Sequence, residues 1–294
     1  MGIKKIKGMG LATVIKEGYA VEANYRRIPR EVRVGSEWEF PTLQDAVGEL
    51  RSSSLSSRYT IKLANEEFEA NVTLPPNVSI EGSGESLIDG TLTITSPTGR
   101  VSIQNVTIDV GSGVALQINS SSMKLTSCVI NGNIQVNGVC DVEILRSVLQ
   151  DGILSSTSAS SQAVLLFGCL GNNFTFRRVF PGNMELQILY SIFRASGIYM
   201  TNATHKLQVT RSSFYRLDGS STIQLEAGIA NSYARISQSS IVSTVGVSPF
   251  AKTGGVGDLE VWTFHNGYST IIGVGVHENI AVGYNVVDAA IAIF

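Results

Sequence analysis

Charge is scarce in this chain. Asp, Glu, Lys and Arg make up 16% of its 294 residues, against about 25% in an ordinary soluble domain, which argues against the highly charged disordered classes. Proline (seven) and cysteine (three) are also few. Cys128, Cys140 and Cys169 are odd in number and lack the short paired spacings of a metal site or a disulfide framework. No apolar run approaches the roughly 20 residues that span a bilayer as a helix, so no membrane insertion is expected. Residues 9–15, broken by Gly10 and closed by Lys16, are too short for the apolar core of a secretory signal. Synthesis in a reducing cytoplasm is the expectation.

What is abundant is the vocabulary of turns and strands: 29 glycines with many Ser, Thr, Asn, Val and Ile. Six Asn-x-Ser/Thr sites (Asn71, Asn77, Asn105, Asn119, Asn173 and Asn202) read as turn asparagines rather than glycosylation sites. Net charge is −2, which argues against bulk attraction to nucleic acid. The charge is unevenly placed. Residues 1–35 hold eight bases (Lys4, Lys5, Lys7, Lys16, Arg26, Arg27, Arg30, Arg33) against three acids (Glu17, Glu22, Glu31), a net of +5. Such an arm either docks on an acidic partner or is a solvated leader.

An internal repeat decides the fold class. Residues 101–108 (VSIQNVTI), 123–130 (MKLTSCVI), 142–149 (VEILRSVL), 186–193 (LQILYSIF), 207–214 (LQVTRSSF) and 234–241 (ARISQSSI) share one frame. Residues 164–170 fit it more loosely, and 78–80, 259–261 and 280–282 begin alike. Successive starts are 19 to 27 residues apart, too short for propeller blades of about 40–50 residues. The predicted fold is all-β: a single-stranded, right-handed parallel β-helix of about ten coils. The first and third frame positions point inward and the polar residue between them outward. The sixth position reads Val106, Cys128, Ser147, Cys169, Ser191, Ser212, Ser239, a column of mostly small residues that marks a corner. Cys128 and Cys169 then lie two coils apart, roughly 9–10 Å, beyond disulfide reach, and are expected to be core thiols.

Residues 40–50 read as an amphipathic helix with Leu43, Ala46, Val47 and Leu50 on one face, capping the N-terminal end of the stack. The domain reading is an attachment arm over 1–39 and the β-helix over 40–294. The C-terminal run ending in Phe294 is apolar and is expected to pack on the last coil or on a neighbouring subunit.

Residues 40–47, 59–63 (YTIKL), 67–69, 71–74 (NVTL), 77–84 (NVSIEGSG) and 87–90 (LIDG) resemble the opening of pectin-lyase-like β-helix proteins, with pectin methylesterases nearest in texture. The resemblance is specific over residues 40–110 and generic beyond. It implies the β-helix fold, and it admits polysaccharide lyases, esterases and glycosidases as well as bacteriophage tailspikes and other virion proteins.

The catalytic segments of the methylesterases are not matched. Gln162-Ala-Val164 agrees with one of them in letters only, and the Gln-Asp-Thr, Asp-Phe-Ile/Val-Phe-Gly and Leu-Gly-Arg-Pro-Trp segments do not occur. A glycosidase needs two carboxyls about 5–10 Å apart. The best pair by frame is Asp109 and Asp151, two coils apart with Asn131 between; turn capping is the competing role. His205, His265 and His277 fall one per coil without ligand spacing. The glycines of 82–84 and 254–257 do not join a strand to a helix, so they read as turns. Trp38, Trp262, Phe264 and Tyr268 are the aromatics available to stack on a sugar. No cofactor or metal is expected.

Three functions remain in order of support. The first is a non-enzymatic virion structural protein (tailspike, fibre or capsid decoration). The resemblance implies a homotrimer, anchored to other virion proteins through Lys4, Lys5, Lys7, Arg26, Arg27, Arg30 and Arg33, with Phe294 at a subunit contact. The second is a polysaccharide-active enzyme with an intersubunit or unrecognised site. The third is a carbohydrate-binding adhesin, with host-surface polysaccharide as the partner.

Overall fold

The computed structural model describes residues 30–50, 58–95, 99–156, 158–178, 182–200, 205–216, 218, 220, 222–225 and 232–242, together with short strand segments at 14–16, 19–21, 250–252, 259–264, 267–268, 276–280 and 286–287. Side chains are described over most of residues 31–242. Val14–Lys16 and Tyr19–Val21 pair antiparallel. Every other described strand pairing is parallel, and together they build a β-solenoid with three walls.

Arg30–Val34 and Tyr59–Leu63 open the first wall, which continues through Ser122–Thr126, Cys140–Leu145, Gln162–Phe167, Met184–Leu189 and His205–Thr210. The second wall includes Glu67–Glu69, Ile192–Arg194 and Ser213–Tyr215, and the third Val72–Leu74, Gly197–Met200 and Ile223–Leu225. Seven successive turns between Tyr59 and Met200 have all three walls described, and parallel pairings extend the stack beyond both ends. The solenoid is therefore as predicted, with a coil count that differs slightly from the expected ten.

Register follows the repeat through its centre. Val101, Met123, Val142, Val164, Leu186 and Leu207 stand on successive rungs, all buried. The frame fails at the end, where Ala234 pairs with Val261 rather than Leu259, and Val261 with Glu278. Two-residue periodicity keeps the inward face unchanged by a two-residue slip, so pattern alone does not fix that register.

The core is apolar layers topped by an aromatic stack. Phe174, Phe176, Phe193 and Phe214 are fully buried, with successive ring centroids 5.6, 5.2 and 4.9 Å apart. Such pairs each contribute about 0.5–1.5 kcal/mol beyond area burial.

The column of small residues is a polar ladder between the first and second walls. Ser147 Oγ accepts from Cys128 N (3.1 Å), Ser191 Oγ from Cys169 N (3.1 Å), Ser212 Oγ from Ser191 N (3.1 Å) and Ser239 Oγ from Ser212 N (3.2 Å). Each of these hydroxyls donates to the carbonyl two residues earlier, at 2.8–2.9 Å. Where serine holds the position, its hydroxyl thus ties the corner of its own turn to the turn before. The residue just before each position of the column has a left-handed backbone: Asn105 (φ 55°), Ser127 (54°), Arg146 (50°), Gly168 (65°), Tyr190 (53°), Arg211 (49°) and Gln238 (50°).

The three cysteines are free and buried, as expected of core thiols. Burial pushes each thiol up, while nearby backbone hydrogen bonds oppose it. A thiol that is neither ionised nor accessible does not attack a disulfide reagent. At pH 8 the native chain should therefore leave such a reagent unreacted over minutes, and unfolding should release three equivalents. Rapid labelling of the native protein would contradict this packing.

The helix spans Leu43–Leu50 and buries Leu43, Ala46, Val47 and Leu50. Thr42 caps it by accepting from Asp45 N (3.2 Å) and donating to Asp45 Oδ2 (2.6 Å). Pro41 thus precedes the cap. The domain boundary also moves. Arg30–Val34, assigned to the arm from sequence, pairs in parallel with Tyr59–Leu63 and is a rung of the solenoid. Val32 and Val34 alternate with charged neighbours, as a half-buried strand does, whereas its charge grouped it with the arm.

Candidate functional sites on the outer walls

In a solenoid the inward positions build the core, so recognition falls to outward columns in which one residue per turn stands about 4.8 Å above the last. On the second wall the outward column runs Glu69, Asp89, Asp109, Asn131, Gln150, Asn172, Arg194, Tyr215. Asp109 belongs to it. Asn131 Nδ2 donates to Asp109 Oδ1 at 2.9 Å, and Gly111 N donates to the same oxygen at 3.0 Å. Asp151 stands one residue past the column with a left-handed backbone (φ 45°), and Asn173 Nδ2 donates to its Oδ1 at 2.9 Å.

The structure therefore gives each of the two sequence-predicted carboxylates its own amide partner on the following turn. It does not bring them to a shared centre: Asn131 occupies the rung between, and on the turn of Asp151 the column position itself is held by Gln150. Three of the asparagines read as turn residues, Asn77, Asn105 and Asn173, have left-handed φ of 61°, 55° and 51°. Asn71 and Asn119 are tied into the wall by accepting from Thr91 N and Asn137 Nδ2.

Gln162, which opens the esterase-like triplet, is buried. Its Nε2 donates to Val136 O (2.9 Å) and Gly138 O (3.3 Å), and its Oε1 accepts from Arg178 Nη1 at 3.0 Å. Arg178 is fully buried and also donates to Ser158 O and Ser160 O. Desolvation pulls its pKa down from the ordinary arginine value. This knot fastens the corner between the third and first walls and was not legible in sequence, since Arg178 sits in a charged pair with Arg177 that gives no sign which one turns inward. Beside it lies a cavity of about 360 Å³ lined by Val139, Cys140, Gln162, Met184, Glu185 and Lys206 among others. A second, open depression beside the capping helix is lined by Gln44, Glu69, Asn71 and Asp89. Among the described residues no group of three or more His, Cys, Asp or Glu is placed to hold a metal ion.

A basic and aromatic cluster occupies the later turns. Arg177, Tyr199 and Gln224 stand on successive rungs of the third wall. Arg216 lies 4.9 Å over the Tyr199 ring and donates to its hydroxyl, and it forms a two-toothed pair with Asp218 (2.8 and 2.6 Å). That guanidinium holds the Asp218 carboxyl down at about 2 against the opposing effect of burial, with a lesser contribution from Ser220 N–H. A depressed folded value means the contribution to stability is present above the ordinary 3.8 and lost as pH falls through about 2. Because Asp218 is exposed, the contribution is small. Its carboxyl should titrate by NMR with a midpoint near 2; a midpoint at 3.8 would show that the pair does not form.

The remaining expectations fall elsewhere. Arg33 lies 6.0 Å over the exposed Trp38 ring and pairs with Glu31, which also holds Lys62 at 2.9 Å. Arg30 opens the strand Arg30–Val34. Lys4, Lys5, Lys7, Arg26, Arg27, His265, residues 254–257 and Phe294 lie outside the described residues, as do the side chains of His205, Trp262, Phe264, Tyr268 and His277.

No family model and no curated protein matches the chain. Among solved structures it is similar to one described as a mannuronic acid specific polysaccharide family 6 lyase enzyme from human gut microbiota, at 9% identity and a TM-score of 0.33, over 85% of this chain and 82% of that one. A likeness at that level transfers no function.

Proposed function

We propose that the chain is a non-catalytic β-solenoid that serves as a structural part of a larger assembly, its specific form being a virion component such as a bacteriophage tailspike, fibre or capsid-decorating protein. The observation that carries the non-catalytic reading is the use made of the two flagged carboxylates. Asn131 and Asn173 each donate an amide hydrogen to the aspartate one turn earlier, so both groups bind turn to turn. The virion form rests on the basic arm read from the sequence, with residues 1–29 as the attachment segment.

Asparagine can accept the same amide hydrogen. The double variant Asp109→Asn/Asp151→Asn should therefore unfold within about 0.5 kcal/mol of the parent chain. Neither protein should shorten polysaccharide chains in a viscosity assay. Depolymerisation by the parent that disappears in the double variant would overturn the proposal.

A second reading, glycan recognition without cleavage, is favoured by a different observation. Asn172, Arg194 and Tyr215 stand in register on three successive rungs of the second wall and present amide, guanidinium and phenol to solvent. That combination suits an acidic polysaccharide. Retardation of the chain in an acidic-polysaccharide gel, lost on Arg194→Ala, would establish this form.

A further inference from the structure

The first wall carries one outward column free of charge through its middle. Thr126, Leu145, Phe167, Leu189 and Thr210 stand on five successive rungs. Phe167 at its centre is 37% exposed, and the adjoining corner adds Tyr190 at 48%. Across that corner, Leu170 and Ile192 are 52% and 43% exposed on neighbouring rungs of the second wall. A contiguous apolar surface of this kind marks an interaction site, whereas isolated exposed apolar residues do not.

The flanks of the column identify the occupant. Two residues before the column on each turn stands Lys124, Glu143, Leu165, Gln187 or Gln208, and one residue after it stands Ser127, Arg146, Gly168, Tyr190 or Arg211. Suppose two solenoids lie side by side, pointing the same way, with the column against itself. The leading flank of each then meets the trailing flank of the other at equal height. The rows formed are Lys124 with Ser127, Glu143 with Arg146, Leu165 with Gly168, Gln187 with Tyr190 and Gln208 with Arg211. One row brings Arg146 to Glu143, whose carboxylate also holds Arg100 of its own chain at 2.5 Å, and none sets like charges together. The antiparallel alternative brings no ion pair and sets Asp141 opposite Glu185, which are one rung either side of Ala163. The corner is also ordered in advance. Arg211 donates to Tyr190 OH at 2.9 Å and to Gln238 Oε1 at 2.6 Å, and its guanidinium lies 5.3 Å over the Tyr190 ring.

We infer that this band of the first wall is a self-association surface, occupied by a second copy of the same chain packed parallel and in register about an axis along the solenoid, with Phe167 at its centre. The inference goes beyond the function proposed above and stands whether or not the assembly belongs to a virion or a glycan is bound elsewhere on the wall.

The test uses the full chain with cysteine placed two rungs either side of Phe167. In the parallel arrangement Thr126→Cys and Thr210→Cys each face their own copy, so mild oxidation should convert most of either single variant to a covalent dimer. The native cysteines are buried and do not compete. Phe167→Asp, at an outward position, should lower the solution mass to that of one chain, 31.4 kDa, with unchanged circular dichroism. Cross-linking only when the two cysteine variants are mixed would mean antiparallel packing and would overturn the inference. A parent chain that is already 31.4 kDa in solution would overturn it too.

Discussion

Phe193→Ala is expected to destabilise the solenoid by about 3–5 kcal/mol, the range for removing a large aromatic side chain from a packed core. Phe193 is fully buried and is the ring through which the stack continues, 5.2 Å from Phe176 on one side and 4.9 Å from Phe214 on the other. Its partner one rung below is Gly171, whose missing side chain makes room for it: a Cβ there would lie 1.9 Å from Phe193 Cδ1. Neighbouring rungs are fixed by parallel hydrogen bonding and cannot collapse far into the hole, which places the cost toward the upper end. Urea unfolding followed by circular dichroism measures it. A loss below about 1 kcal/mol would mean that the stack is not a single packed unit.

Ser191→Val should cost about 1–3 kcal/mol, the penalty for leaving a buried amide without its acceptor. The valine fills the hydroxyl's space but cannot accept from Cys169 N, which the Ser191 hydroxyl does at 3.1 Å, and cannot donate to Leu189 O. Ser191→Cys is the informative control. Cysteine already occupies this column at 128 and 169, where each sulfur contacts the carbonyl two residues earlier at 3.4 and 3.7 Å. The cysteine variant should therefore fall between the parent and the valine variant. Equal stability of all three would show that the ladder does not contribute to holding the turns together.

The same column shows how far the sequence could be read. Small residues recurring at the sixth frame position mark a corner without any coordinates, and alternation of apolar and polar residues assigns the inward face of the first wall. The residue that makes the bend is hidden. Its left-handed backbone is carried by Ser127, Arg146, Tyr190, Arg211 and Gln238 as well as by Asn105 and Gly168, and only the last two are types that favour that conformation. The neighbours hold the bend in place, through the hydroxyl bonded two residues back.

The candidate site was legible as residues and illegible as geometry. Asp109 and Asp151 could be placed two coils apart by counting, but their amide partners depend on side-chain direction at two separate bulges in the second wall. The apolar band is different. Leu145, Phe167 and Leu189 recur at one frame position and were open to view. Their meaning emerged only when the corner beside them showed which charged residues flank the column and which of those face a second copy.

The measurement that bears most directly on the central claim, that the outer wall serves association rather than chemistry, is the solution mass of the full chain by light scattering. The account predicts a whole-number multiple of 31.4 kDa that falls to 31.4 kDa in Phe167→Asp and is unchanged in Asp109→Asn/Asp151→Asn. A single-chain mass for the parent protein across the accessible concentration range would contradict it.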